Sequence, residues 1–128
     1  MAGELHDGFV PGNHLIEAYG NGGFRFASMS HKGSIIVMSS GIYAWTADSP
    51  ADILPGTLGP LFDAPKGSIE LLLVGTGTDL VPLPDALRQR LKQAGIRSDP
   101  MSTGAAARTY NILIGEGRLV AAALLAVA

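Results

Sequence analysis

Hydrophobic and polar positions change rhythm near the middle of the chain. In the first half the apolar residues come in short β-like runs. Residues 14–19 and 24–27 flank Gly20-Asn21-Gly22-Gly23, a sequence that tolerates positive φ and predicts a hairpin. A second hairpin follows. Ile35, Ile36 and Val37 lead through Ser39-Ser40-Gly41 into residues 42–45, where Ile42 and Ala44 alternate with Tyr43 and Trp45. Between residues 46 and 68 stand four prolines, yet Leu54, Leu58, Leu61 and Phe62 keep the spacing of one helical face, so a short helix is expected inside a long connection.

The second half reads as strand, helix, strand, helix, strand. That alternation is the pattern of crossover units on a mostly parallel sheet. Residues 69–74 form a continuous apolar strand that empties into Gly75-Thr76-Gly77-Thr78. The next helix can hold Pro84 in its first turn, with Leu87, Leu91 and Ala94 along one face and Gly95 as a left-handed cap with Ile96 folding back on Leu91. Residues 96–101 read as a short extended piece weakened by Pro100. Ser102 or Thr103 then caps a helix that ends near the glycines at 115 and 117, and residues 119–127 supply the last strand.

With 128 residues and neither an internal repeat nor a low-complexity linker, the chain reads as one domain, residues 1–8 being a loose lead. Without cysteine, disulfides, thiolate nucleophiles and cysteine-based zinc sites are excluded, and a cytoplasmic setting fits best. Charged residues make up only 16% of the chain, which leaves room for apolar surface and favours a homo-oligomer or a docking face. The uncharged stretch 119–128 is too short to span a membrane, for which about 20 residues are needed. Residues 1–10 lack the basic flank and apolar core of a signal peptide.

The net charge of −2 conceals an asymmetry. Residues 1–64 hold six acids and two bases, residues 65–128 five acids and seven bases. Arg88, Arg90, Lys92 and Arg97 supply most of that excess, but no aromatic residue is interleaved with them. A solvated helix face is expected there, and nucleic acid is not.

Candidate chemistry concentrates in two places. The first is the loop Gly75, Thr76, Gly77, whose amides could cradle an anion, although neither a dinucleotide fingerprint nor a Walker loop is present. The second is the helix start from Thr103, where Arg108, Tyr110 and Asn111 stand out among small residues. Arg108 lies early on the helix, where its charge opposes the helix dipole. It therefore calls for an ion pair with Asp85, Asp99 or Glu116, or for an outside anion. Tyr110 shares a face with Ala106 and Leu113 and is expected in the core with its hydroxyl tethered. Asn111 is expected to bond a neighbouring loop. His6, His14 and His31 have no metal-ligand spacing, no nucleophile–base pair can be nominated, and no cofactor is implied, so the residues lean away from an enzyme. Trp45 is expected to be half buried, able with Tyr43 to form an aromatic docking patch.

Several of these stretches together carry a resemblance. Ile16-Glu17-Ala18-Tyr19-Gly20, Gly22-Gly23-Phe24-Arg25-Phe26, Leu72-Leu73-Val74-Gly75-Thr76-Gly77, Met101-Ser102-Thr103-Gly104-Ala105-Ala106 and Arg108-Thr109-Tyr110-Asn111 resemble a small uncharacterised-domain family. That family includes the mitochondrial complex I assembly factor and an adipogenesis-associated protein. The resemblance runs from about Gly8 to the C-terminus and implies a three-layer α/β fold around a mixed sheet, with no catalytic residues to carry over. Ser98-Asp99-Pro100 departs from the β-branched residues expected in the intervening strand. By analogy the resemblance implies a non-enzymatic interaction or assembly protein, with a partner in a respiratory or other membrane complex. The rival expectation is a small-molecule or anion-binding protein, or an enzyme, with a cleft between the loop from Gly75 to Thr78 and the helix start from Thr103 to Asn111.

Overall fold

The structure, a computed structural model, describes residues 8–128. The loose lead expected at residues 1–8 therefore falls almost entirely outside the described residues. Phe9 and Val10 do not belong to such a lead. Strand β1 (Phe9–Pro11) pairs antiparallel with β6 (Gly41–Trp45), and the Phe9 ring packs on Tyr43 with centroids 4.5 Å apart. An isolated Phe-Val-Pro carries too few residues to show a period, so its strand exists only because β6 offers an edge.

A six-stranded mixed sheet runs in the order β1-β6-β5-β9-β7-β8, where β5 is Ser34–Met38, β7 Leu71–Gly75, β8 Arg97–Met101 and β9 Val120–Leu124. The expected second hairpin is β5–β6. Parallel pairing is confined to β9–β7–β8, the crossover part of the chain, while β1, β6, β5 and β9 pair antiparallel. The first hairpin, β2 (Ala18–Gly20) and β3 (Gly23–Phe26), stands apart with β4 (Met29–Lys32) in a three-stranded sheet. Asn21 and Gly22 both have positive φ, the tight turn that these two residue types favour. Strand β4 has no such signal in the sequence, because Ala27 and Ser28 adopt the same left-handed turn without glycine or asparagine.

Alternation along the central strands sends side chains into two separate cores. Ile36, Leu72, Val74, Ala121 and Ala123 face α2 (Asp85–Gln93), α1 (Gly59–Asp63) and the connection before them, where Leu58, Leu61, Leu87 and Leu91 close the layer. Ile35, Val37, Leu73, Ala122 and Leu124 face α3 (Thr103–Gly115) and the three-stranded sheet, with Phe24, Phe26 and Tyr110. The result is three layers. Small side chains on α3 (Ala106, Ala107) opposite Ala122 let the helix lie close to the sheet.

The long connection contains two 3₁₀ turns, Pro50–Asp52 and Pro55–Thr57, before α1. Helix α2 ends as expected. Gly95 has φ +80°, its amide donates to Lys92 O, and the Ile96 amide donates to Leu91 O at 2.9 Å. Trp45 is more deeply placed than half burial would give, since only 4% of it is exposed. It fills the α2-side core, so it offers no docking surface.

Pro100 fits β8 because of where the strand lies. Arg97 N–H donates to Glu70 O and Met101 O accepts from Thr76 N–H, so the odd-numbered residues bond β7. Even-numbered Ser98 and Pro100 turn their backbone groups away from the sheet. The N–H that proline lacks would have faced outward on an edge strand, where nothing is lost.

Candidate functional site

Gly75 ends β7 against the first turn of α3. A Cβ at this position would lie 2.9 Å from Thr103 Cα and 3.0 Å from its Oγ1, so only glycine permits the approach. Around this contact a chain of hydrogen bonds joins three strands to the helix. Thr103 N–H donates to Gly77 O (2.8 Å), and Gly77 N–H donates back to Thr103 Oγ1 (3.1 Å). That hydroxyl donates to Leu125 O (2.8 Å), and Leu125 N–H donates to Gly75 O (2.9 Å). Thr76 completes the junction. Its amide donates to Met101 O (2.9 Å), and its hydroxyl donates to Asp79 O (2.6 Å) while accepting from Val81 N–H (2.9 Å).

The electrostatic consequence is direct. An anion cradle needs free amides, and those of Thr76, Gly77 and Thr103 are all committed inside the protein. Asp48 and Asp79 line the depression of about 360 Å³ on the outer side of the loop, which sets negative charge where a phosphate would have to enter. Thr103 is fully buried and Thr76 nearly so. Between loop and helix start the described residues make direct contact.

The three larger residues of α3 diverge. Tyr110 points into the α3-side core, fully buried, with no hydrogen-bond partner for its hydroxyl among the described residues. The tether expected for it is absent there, and burial pushes the phenol well above its usual range. Asn111 turns the other way and clamps one residue at both ends. Its Oδ1 accepts from Ile16 N–H (2.9 Å) and its Nδ2 donates to Ile16 O (2.8 Å). A mid-helix asparagine thus serves as a strand partner for the segment before β2. Two turns nearer the helix start, Gly104 lies under Tyr19, whose hydroxyl oxygen would be 2.3 Å from an added Cβ. Arg108 shares this face, is exposed, and makes no ion pair with Asp85, Asp99 or Glu116.

Larger concave surfaces lie elsewhere among the described residues. The first, about 490 Å³, lies on the three-stranded sheet and is lined by Tyr19, Arg25, His31 and Lys32 among others. Arg25 there is held by Glu17 (3.7 Å) and Ser30 Oγ (3.2 Å). The second, about 560 Å³, lies beside edge strand β8 and brings Arg88 and Lys92 of α2 together with Arg97. Sequence periodicity marks Arg88 and Lys92 as one helix face but has no means of adding Arg97, which arrives through the turn at Gly95. Arg90 departs from a purely solvated face, since its guanidinium carbon stands 4.4 Å from the centre of the Phe62 ring of α1.

Residues 16–125 match the model of a family described as a protein of unknown function, DUF498/DUF598. The chain belongs to this family. A relative in Xenopus tropicalis, NADH dehydrogenase [ubiquinone] 1 alpha subcomplex assembly factor 3, is 33% identical over 87% of the chain. The match spans 60% of that longer protein. The crystal structure of an outer membrane protein from Bartonella henselae is 50% identical, covers 92% of this chain and 98% of that one, and superposes with a TM-score of 0.87. A Bordetella pertussis protein described as a Mth938-like domain is 30% identical over 88% of this chain and 85% of its own, with a TM-score of 0.77. Membership of this family and its α/β fold agrees with the resemblance carried by the five sequence stretches. No helix among the described residues is long and apolar enough to cross a membrane.

Proposed function

We propose that this family member is a non-enzymatic protein-interaction or complex-assembly factor. The observation that carries the reading is the closure of the Gly75–Gly77 loop onto Thr103. The polar groups best suited to bind a small ligand are spent on holding β7, β9 and α3 together. The similarity to a complex I assembly factor over 87% of the chain supports the same reading and suggests a membrane respiratory complex as the partner. Exposed Leu15, Tyr19 and Ile112 are available apolar contacts for such a partner or for a second copy. In this reading the protein acts from the cytoplasm, which cell fractionation tests directly. A pull-down from native membranes at physiological salt is expected to recover subunits of a respiratory complex, and recovery of none would remove the proposal.

One observation favours a second reading. Arg108 is exposed and unpaired within the described residues, so it is available to an outside anion. Titration with inorganic phosphate, followed by NMR, is expected under this reading to shift the α3 amides around Arg108 in the wild type and not in Arg108→Gln. Unmoved wild-type amides would discard it.

A further inference from the structure

We infer that the depression beside β8 receives an acidic, extended segment of a partner protein. This rests on the protein-interaction reading and names the surface and the chemistry through which it operates. Three of the chain's nine lysines and arginines, Arg88, Lys92 and Arg97, line this one concavity, although the protein as a whole carries a net charge of −2. Asp99 is the acid among the lining residues. Asp85 pairs with Arg88, but both side chains are more than half exposed, and an exposed pair on one helix gives way readily to a better-placed carboxylate. Low-dielectric walls focus such a field and attract the opposite charge.

The backbone adds a second requirement on the occupant. Strand β8 ends the six-stranded sheet, and Ser98 turns both its N–H and its C=O away from β7. An extended chain laid along this edge finds a donor and an acceptor there, followed by Pro100, which offers no donor and stops further pairing. Backbone pairing is therefore short, and the three cations carry the selectivity. The floor is apolar, formed by Leu71 and Ile96, so the occupant needs aliphatic side chains among its acids. A nucleic acid strand fits less well, because the lining offers no aromatic platform for bases and few cations for phosphates.

The test uses the whole chain and a short fluorescent peptide in which glutamate alternates with leucine, read by fluorescence anisotropy. Binding is expected to weaken about tenfold or more in the R88Q/K92Q/R97Q variant and to fall with added salt. The peptide with glutamine in place of glutamate should bind no better than that variant does. Slower hydrogen exchange at the Ser98 amide in the complex would support strand addition, a readout that charge attraction alone does not move. Absence of wild-type binding, equal binding by the variant, an unchanged Ser98 amide, or equal binding of a single-stranded oligonucleotide of matched charge would each overturn the inference. In the native-membrane pull-down, partners recovered equally by wild type and variant would overturn this surface alone. If the wild type recovers none, the interaction reading on which it rests falls first.

Discussion

The junction at Gly75 and Thr103 and the depression beside β8 differ in one respect that decides their roles. Both contain polar residues next to a glycine at the end of a regular element. At the junction every donor named above has an acceptor inside the protein, from Thr103 Oγ1 on Leu125 O to Thr76 N on Met101 O. At the β8 edge the charges of Lys92 and Arg97 and the outward backbone of Ser98 have no such partners among the described residues. A glycine-threonine-glycine loop thus looks like a ligand cradle only while its acceptors are unknown. Polar groups satisfied internally stabilise the fold, and those left facing solvent are available for recognition.

Four variants would break or sharpen this contrast. Thr103→Val keeps the shape but strands the buried Leu125 carbonyl and the part-buried Gly77 amide, so a loss of about 2–4 kcal/mol is expected in chemical denaturation. A loss below about 0.5 kcal/mol would mean that the junction is not the brace described here. Asn111→Ala removes both bonds to Ile16 and should cost about 1–2 kcal/mol, with faster hydrogen exchange at the Ile16 amide.

Tyr110→Phe should be close to neutral at pH 7, within about 1 kcal/mol, because the hydroxyl it removes has no partner among the described residues. Its effect appears in alkali. The folded phenol holds its proton above the unfolded value of about 10, so the stabilisation is complete below that pH and declines as pH rises, by about 1.4 kcal/mol per pH unit. The Phe variant should lack that part of the decline in a denaturation series taken upward from about pH 10. The smallest stability effect belongs to R88Q/K92Q/R97Q, expected within about 0.5 kcal/mol of the wild type, because all three side chains are exposed. A large loss would move the β8 edge into the same class as the junction.

The two halves of the chain were unequally legible. Helix α2 could be read almost to the residue, because Leu87, Leu91 and Gly95 each impose a local condition that the structure meets, while Pro84 stands just before the first turn as the extended N-cap. The β2–β3 hairpin was equally plain in Asn21-Gly22. Strands β1 and β4 were not legible. Phe9–Pro11 is extended because β6 bonds it, and the Ala27-Ser28 turn adopts positive φ with residues that do not favour it. Tertiary contacts supply what local preference does not. At the candidate site, the residue types at Gly75, Thr76, Gly77, Thr103 and Asn111 were visible, but their hydrogen-bond partners lie as far away as Ile16 and Leu125.

By itself the sequence determined the family, the division into hairpin-rich and crossover halves, most of the core, and the absence of cysteine chemistry. These follow from local periodicity, turn residues and composition, which need no knowledge of neighbours. The tertiary structure alone decided that the glycine-rich loop closes onto α3, that Arg108 stays unpaired within the described residues while Tyr110 is buried, and that Arg97 joins Arg88 and Lys92 at one sheet edge. Each depends on which distant groups meet. Hydrogen-bond satisfaction and local potential are properties of that meeting and not of any segment of chain.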